Sequence, residues 1–273
     1  MTLLVSWIGV DTHGTASAYI AADSRISWGN KAKFDHGRKV FALSSFPDIL
    51  GYCGDVLFPT MVLSQIAEMA DRGVLFSNNP SCKDRFEAIK EKLVQQFHQY
   101  PRMVDEITAN SLQVLHIARS LKNNFQFECR LIEWTRIDGW KGKMVDLPKI
   151  SGVLFSLGSG ASEFVDNLVR YNSGPNKGTS RSIFHCFCDS LFKIKDPYCG
   201  GAPQLVGIYR KPESPAISFG IVIEKKRYFL GAPVDKNVEL EMVEWRNDLF
   251  ELCDGHTMKK FSTAQKQPDL LRR

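Results

Sequence analysis

The chain has 273 residues, of which 44% are hydrophobic and 24% are charged, the ordinary balance of a globular protein with a large core. Its 35 Lys and Arg against 30 Asp and Glu give a formal charge of +5, too mild to indicate a dedicated nucleic-acid binder. No apolar run is long enough for a transmembrane helix, and the apolar start lacks the basic residues of a signal peptide, so we expect a cytoplasmic protein.

The first half of the chain predicts two hairpins followed by two helices. Alternating apolar runs around polar turns indicate four strands, expected at Leu3–Val10, Thr15–Ala22, Arg38–Leu43 and Ile49–Cys53. Apolar residues then recur at helical spacing from Phe58 to Met69, with Gly73 just beyond the end. Pro80-Ser81 begins a second helix, whose apolar stripe runs from Phe86 to Phe97.

The second half repeats this order of strands, paired helices and strands. Six strands are expected at Leu112–Ile117, Phe125–Trp134, Val153–Leu157, Pro203–Tyr209, Ile217–Ile223 and Arg227–Leu230. One helix is predicted around Phe164 to Val169, and another over Ser180–Phe192. The stretch Arg136–Ile150 is predicted to be irregular, and the last dozen residues to be disordered.

This order of elements predicts an α+β fold. Hairpin-linked strands with helices in consecutive pairs favour two antiparallel sheets packed face to face, with a helical layer on each outer side. We assign residues 1–231 to this domain and residues 232–273 to a C-terminal extension.

The candidate nucleophile is Thr2. Methionine is normally removed when a small residue follows it, so loss of Met1 would leave Thr2 at the amino terminus. The α-amine of a terminal residue has a pKa of about 7.7 to 8.0, so part of it is neutral near physiological pH. A Thr hydroxyl next to such an amine is an activated nucleophile.

Three further positions fit the same chemistry. Lys39 begins the third predicted strand, and a positive charge near Thr2 would favour its alkoxide. Asp23, 16 residues earlier, could hold that Lys charged and oriented. Gly54 lies at a strand-to-helix turn in Gly51-Tyr52-Cys53-Gly54-Asp55, where its backbone N–H could stabilise an oxyanion.

Together these segments resemble the proteasome β-subunits and the related bacterial ATP-dependent peptidase, which are N-terminal nucleophile hydrolases. The matching segments follow the family's order from residue 2 to about residue 231, and the spacing of Asp23 and Lys39 is the family's spacing. They are Thr2-Leu3, Ala21-Ala22-Asp23-Ser24-Arg25, Lys39-Val40-Phe41, Gly51-Tyr52-Cys53-Gly54, Leu157-Gly158-Ser159-Gly160 and Asp196-Pro197-Tyr198-Cys199-Gly200-Gly201.

The resemblance implies a four-layer αββα sandwich and a threonine peptidase that needs no cofactor. By position it implies a nucleophile at Thr2 that Asp23 and Lys39 tune, with Arg25 supporting that cluster. It further implies an oxyanion donor at Gly54, and a pair that holds the amine and relays its proton, Ser159 and Asp196. It also implies a peptide or unfolded-protein substrate, a homo-oligomeric ring with its sites facing an inner chamber, and an ATP-driven unfoldase as partner.

One position departs from the family pattern, and another bears on the expected substrate preference. Cys199 stands where the family usually has Ser, and a thiol is the weaker hydrogen-bond partner, so its supporting role is weakened. Tyr52 falls about where the family lines the pocket for the residue before the cut. A Tyr there would narrow the pocket, which leads us to expect a preference for small or slender side chains.

Two other functions stay open at this stage. The same nucleophile could cleave small amides, because a fold does not determine the substrate. Alternatively, the chain could be an inactive scaffold or partner-binding subunit, which retention of Met1 would favour.

Three local patterns receive simpler interpretations. Gly158-Ser159-Gly160 is interpreted as a tight turn and not a dinucleotide site, because position 163 is Glu. His185, Cys188 and Asp189 share a predicted helix face, but no second cluster completes a metal site, so we expect no metal. The seven Cys are odd in number and irregularly spaced, which indicates reduced thiols.

Overall fold

The computed structural model describes residues 2–29, 31–101, 111–174, 176–235 and 238–264. Two large sheets carry most of the strands. The first contains, in spatial order, β10 (Gly152–Leu157), β1 (Leu4–Asp11), β2 (Gly14–Ala22), β11 (Gln204–Tyr209), β12 (Ile217–Ile223), β13 (Lys226–Phe229) and β14 (Ala232–Pro233). The second contains β5 (Val40–Ala42), β6 (Asp48–Gly54), β7 (Ser111–Arg119), β8 (Phe127–Thr135) and β9 (Gly139–Val145).

Four helices form the two outer layers. They are α1 (Leu57–Asp71), α2 (Cys82–Gln99), α3 (Ala161–Tyr171) and α4 (Ser180–Lys193). Ser81 caps α2 through a reciprocal capping box with Asp84, which explains why this helix begins where the sequence predicts. Among the helices of the described residues, none combines the length and apolar character that a membrane crossing requires.

Three apolar clusters show the order of the layers. One lies between α1, α2 and the second sheet, another between α3, α4 and the first sheet, and the third between the two sheets. Strand β1 shows the arrangement directly, because Val5 and Trp7 face the helices while Leu4 and Ile8 face the other sheet. The fold is therefore the four-layer αββα sandwich that the sequence predicts.

Within residues 1–231, two parts of the described fold were not predicted. The stretch expected to be irregular contains β9, which pairs antiparallel with β8 along its whole length. A short hairpin formed by β3 (Ile26–Trp28) and β4 (Ala32–Phe34) follows β2. Strand β9 is largely exposed, so it lacks the alternating apolar pattern from which strands are recognised.

The C-terminal extension packs against the main domain. Its strands β15 (Trp245–Asn247) and β16 (Leu252–Cys253) pair with each other, and β15 also runs parallel to β12. Trp245 and Leu240 are buried in a small cluster with Val222 of β12. The division at residue 231 stays a prediction, and the predicted disorder of the last dozen residues falls mostly outside the described residues.

Candidate active site

The structure brings Thr2, Asp23 and Lys39 together at the ends of three strands. The Lys39 ammonium donates to Thr2 Oγ1 at 3.1 Å and to Asp23 Oδ1 at 2.7 Å. All three residues are fully buried. The Lys side chain thus links the candidate nucleophile directly to a buried carboxylate.

Backbone donors surround the Asp23 carboxylate. Its Oδ1 accepts the Leu3 N–H at 3.1 Å, and its Oδ2 accepts the N–H groups of Arg25 at 3.2 Å and Gly200 at 3.1 Å. Desolvation of a buried ion pair is costly unless further hydrogen bonds compensate it. These bonds supply that compensation and hold the carboxylate in one orientation for Lys39.

Gln204 is a supporting residue that sequence reasoning missed. Its buried side chain accepts the Lys39 N–H at 3.0 Å and donates to the carbonyls of Asp23 at 3.0 Å and Gly37 at 2.8 Å. It therefore ties together the chain segments that carry the Lys and the Asp. The only sequence signal was a polar residue at the start of a buried strand.

Arg25 acts on a loop and does not contact Thr2. Its guanidinium forms a two-pronged ion pair with Asp35, at 2.7 and 2.8 Å, and donates to the carbonyls of Pro197 at 3.3 Å and Cys199 at 3.0 Å. A Cβ on Gly200 would lie 2.5 Å from the Arg25 Cζ, so the loop passes directly over the guanidinium. No feature of the sequence pointed to Asp35 as the partner of Arg25.

Ser159, Asp196 and Cys199 form a second polar cluster. The Cys199 thiol donates to Asp196 Oδ2 at 3.4 Å and lies 3.8 Å from the Ser159 hydroxyl. Burial raises the pKa of the Cys199 thiol to about 12, so at neutral pH it is a donor. Burial also acts to raise the pKa of Asp196, but hydrogen bonds from Ser159, the Tyr198 N–H and Cys199 outweigh it and hold that pKa below its usual value.

The turn at Gly158 to Gly160 lies against the backbone of Thr2. Gly160 N–H donates to the Thr2 carbonyl at 3.2 Å. Gly158 has a φ of +92°, and a Cβ there would lie 2.0 Å from the Thr2 carbonyl oxygen and 3.2 Å from the Cys53 Sγ. This close approach explains the Gly at 158, and it also shows that Cys53 adjoins the site.

The geometry of β6 is compatible with Gly54 as an oxyanion donor. Tyr52 N–H donates to the Lys39 carbonyl at 3.2 Å. Because N–H groups alternate between the two edges of a strand, the Gly54 N–H is directed to the same edge, beyond Lys39. Gly54 has a φ of +108°, and a Cβ there would lie 2.3 Å from the Ser111 carbonyl oxygen, so only Gly fits.

Tyr52 lies in the core between the second sheet and α1. Its hydroxyl donates to the Arg38 carbonyl at 3.0 Å and shares a 2.5 Å hydrogen bond with Thr60. Burial raises its pKa above the usual value. The residue has no exposed surface, and its ring belongs to the apolar cluster between the second sheet and the helices. The expected preference for small side chains stays a prediction.

Two other expectations concern metal binding and the residue before Thr2. Within the described ranges, no group of three or more His, Cys, Asp and Glu side chains is arranged to hold a metal ion. Met1 lies outside the described residues, so its removal stays a prediction.

Solved structures similar to this chain share its architecture at low sequence identity. The Anbu complex of Pseudomonas aeruginosa, solved as a helical assembly, matches with a TM-score of 0.57 and 13% identity, covering 79% of this chain and 86% of that one. Anbu, the ancestral β-subunit, from Yersinia bercovieri matches with a TM-score of 0.54 and 11% identity, covering 84% and 87%. An Anbu mutant from Hyphomicrobium sp. strain MC1 gives 0.52 and 13%, covering 84% and 88%.

Comparisons at the level of sequence add nothing to this. Neither the protein-family models nor the curated proteins include a match to the chain. The likeness is therefore one of three-dimensional structure, and identities of 11 to 13% establish the fold alone. The chain shares the fold of these Anbu structures.

Proposed function

We propose that the protein is a threonine peptidase that cleaves peptide bonds through an acyl-enzyme on Thr2, after removal of Met1. The observation that carries this proposal is the buried contact of the Lys39 ammonium with Thr2 Oγ1 at 3.1 Å and Asp23 at 2.7 Å. A buried Lys–Asp pair does not need a hydroxyl to be stable. Its placement against a residue next to the amino terminus is what nucleophilic catalysis requires.

In the first chemical step, the freed α-amine of Thr2 takes the proton from Oγ1 as this oxygen attacks the substrate carbonyl. The Lys39 ammonium stabilises the negative charge that develops on Oγ1, and Asp23 keeps that ammonium in place. The new oxyanion accepts the Gly54 N–H. Collapse of this intermediate breaks the C–N bond, and the amine passes its proton to the leaving nitrogen.

In the second step, water replaces the leaving group. The neutral amine of Thr2 takes a proton from a water molecule, whose oxygen attacks the acyl carbon, and the ester bond to Oγ1 breaks as that oxygen recovers a proton. Asp196, with Ser159 and Cys199 donating to it, provides a fixed negative charge beside the turn that contacts Thr2. We assign this cluster the role of holding the amine while it is protonated, within each of the two steps.

The decisive experiment combines intact mass with turnover. Mass spectrometry of the purified protein is expected to show loss of one Met, and fluorogenic peptides are expected to be cleaved. Thr2→Ala is expected to abolish cleavage. Thr2→Ser retains a hydroxyl beside an amine and is expected to keep part of the cleavage activity. A peptide p-nitrophenyl ester, quenched in acid, is expected to leave its acyl group on the amino-terminal residue.

The same material distinguishes the other two functions. Hydrolysis of small amides without cleavage of peptides or unfolded casein would point to an amidohydrolase. Retention of Met1 with no turnover of either substrate would contradict the peptidase and favour a non-catalytic subunit. A Thr2→Ala variant as active as the parent would exclude Thr2 as the nucleophile of both the peptidase and the amidohydrolase.

We also propose that the protein works as a homo-oligomer, in a ring served by an ATP-driven unfoldase. The support is the likeness in fold to the Pseudomonas aeruginosa Anbu complex, which forms a helical assembly. Light scattering coupled to gel filtration is expected to give a mass several times 30.8 kDa. A fully active monomer would contradict this part of the proposal.

A further inference from the structure

A cavity of about 500 Å³ lies apart from Thr2, where the edge of the second sheet meets α1 and the C-terminal half of the first sheet. Volumes of roughly 300–1,000 Å³ are usual for sites that bind small molecules. Its lining comes from β5, α1, β12, β13 and the C-terminal extension. The walls thus unite parts of the chain that are distant in sequence.

One wall carries a half-buried arginine with unused donors. Arg38 donates its Nε–H to the Val40 carbonyl at 3.0 Å, and its guanidinium stacks on Phe41 with a separation of 4.2 Å from the ring centre. Among the described residues, no carboxylate lies within ion-pair distance of it, and its Nη groups make no hydrogen bond. Burial lowers its pKa to about 10, so it is still charged at neutral pH.

The rim of the cavity near this arginine is acidic, and Asp71 attracts the guanidinium electrostatically. Asp71, at the end of α1, accepts the Ser44 hydroxyl at 2.5 Å and the Ser45 N–H at 2.9 Å, which leaves part of its acceptor capacity free. Glu68, one turn earlier, also lines the cavity. The cavity therefore offers both a positive group and negative groups to a ligand.

The remaining lining is mainly apolar. Besides Ser64 and Ser218, it comprises Ala42, Ala67, Ala216, Ile217, Phe229, Leu230, Met242 and Val243. The last two belong to the C-terminal extension, so this segment closes one side of the cavity. A ligand that suits the whole site carries a carboxylate, an ammonium group and an apolar body between them.

We propose that this cavity binds a short peptide with free ends and apolar side chains, its carboxylate on Arg38 and its ammonium group on Asp71. The carboxylate matches the planar, two-pronged donor geometry of a guanidinium. The apolar side chains occupy the pocket between Ala216, Phe229 and Val243. This binding is separate from the peptidase activity and needs no turnover.

Calorimetry with leucyl-leucine as probe tests the proposal, using the full-length Thr2→Ala protein so that no peptide is cleaved. Binding is expected, and Arg38→Gln is expected to weaken it about 10- to 100-fold, the usual value of hydrogen bonds to a charged group. Leucyl-leucinamide, which lacks the carboxylate, is expected to bind the Arg38-containing protein more weakly than leucyl-leucine does, by the same factor. Acetyl-leucyl-leucine, which lacks the ammonium group, is expected to bind the parent more weakly than leucyl-leucine does. The Asp71→Asn substitution is expected to weaken the binding of acetyl-leucyl-leucine little further.

Two more variants keep the result interpretable. Ser64→Phe, on the exposed face of α1, fills the mouth of the cavity without touching Arg38 and is expected to abolish binding. Arg136→Gln removes an exposed arginine elsewhere and is expected to leave binding unchanged. No binding by the parent protein, or equal binding by the parent and by folded Arg38→Gln and Ser64→Phe, would overturn the proposal. Neither result depends on whether Thr2 is catalytic.

Discussion

Lys39 and Asp23 form a fully buried ion pair of 2.7 Å, and the same ammonium lies 3.1 Å from the Thr2 hydroxyl. A buried ion pair seldom adds to stability compared with apolar residues of the same volume, and it is often retained for another reason. Here that reason is the position of the positive charge. The pair holds one ammonium group against the only hydroxyl proposed as nucleophile.

The first prediction separates the roles of Lys39 in stability and in catalysis. Lys39→Met leaves the Asp23 carboxylate buried and uncompensated, so the free energy of unfolding is expected to fall by about 3–5 kcal/mol. The rate kcat/KM is expected to fall at least about 10²-fold. Adding Asp23→Asn should recover part of the stability in urea unfolding but none of the activity. Lys33→Met, an exposed lysine, is the control, and an active Lys39→Met would exclude the mechanism.

The second prediction concerns the turn that touches Thr2. Gly158→Ala places a methyl group where the Thr2 carbonyl oxygen now lies, so Thr2 must move. A displacement of about 1 Å at a reacting group can cost about 10²-fold in rate. Peptide cleavage is expected to fall by that factor, while Gly152→Ala, which meets open space, should be as active as the parent. Equal activity of both variants would contradict the position of Thr2.

The third prediction tests Gln204 as the link between the Lys and Asp segments. Gln204→Leu removes three hydrogen bonds and leaves buried backbone groups without partners. We expect the free energy of unfolding to fall by about 2–4 kcal/mol. The half-buried Gln113, whose side chain donates to Glu133 at 2.8 Å, provides the matched Gln→Leu control with a smaller loss. An equal loss in both variants would show that Gln204 has no special role.

The fourth prediction uses the thiol at position 199. Cys199→Ser replaces a weak donor to Asp196 with a stronger one. If the cluster holds the Thr2 amine, kcat should rise about 2- to 5-fold, equivalent to roughly 0.5–1 kcal/mol of hydrogen-bond energy. Ser159→Cys should act in the opposite direction. Unchanged kinetics in both variants would remove the cluster from the mechanism.

The fifth prediction is a loss of stability in alkali. Burial alone raises the pKa of Cys129 to about 12, from an ordinary value of 9.0. The unfolded chain therefore loses this proton at a lower pH than the folded protein, so stability is complete below about pH 9 and is lost as the pH rises toward 12. Each such thiol contributes about 1.4 kcal/mol per pH unit in that window. The free energy of unfolding in urea should be measured between pH 8 and 11. It should fall less steeply with pH in Cys129→Ala than in the parent.

The architecture could be predicted well from the sequence because local patterns of apolar and capping residues indicate the strands and helices of each layer. Strand β1 is a mostly apolar run since both of its faces are buried over most of its length, and α2 begins at a capping box that is visible as Ser81 and Asp84. Strand β9 was not predicted because it is largely exposed to solvent. Its sequence therefore lacks the alternation of apolar and polar residues that indicates a strand. The extension after residue 231 showed no strand pattern, and only its pairing with β12 makes β15 a strand.

By itself, the sequence determined the αββα order of layers and the candidate trio of Thr2, Asp23 and Lys39, since apolar periodicity and the spacing of a few polar residues are local properties of the chain. Only the tertiary structure decided that Gln204 joins two of these segments, that Arg25 is paired with Asp35, and that a cavity opens beside Arg38. Each of these depends on side chains brought together from distant elements by burial and hydrogen bonding, and no local pattern records such contacts.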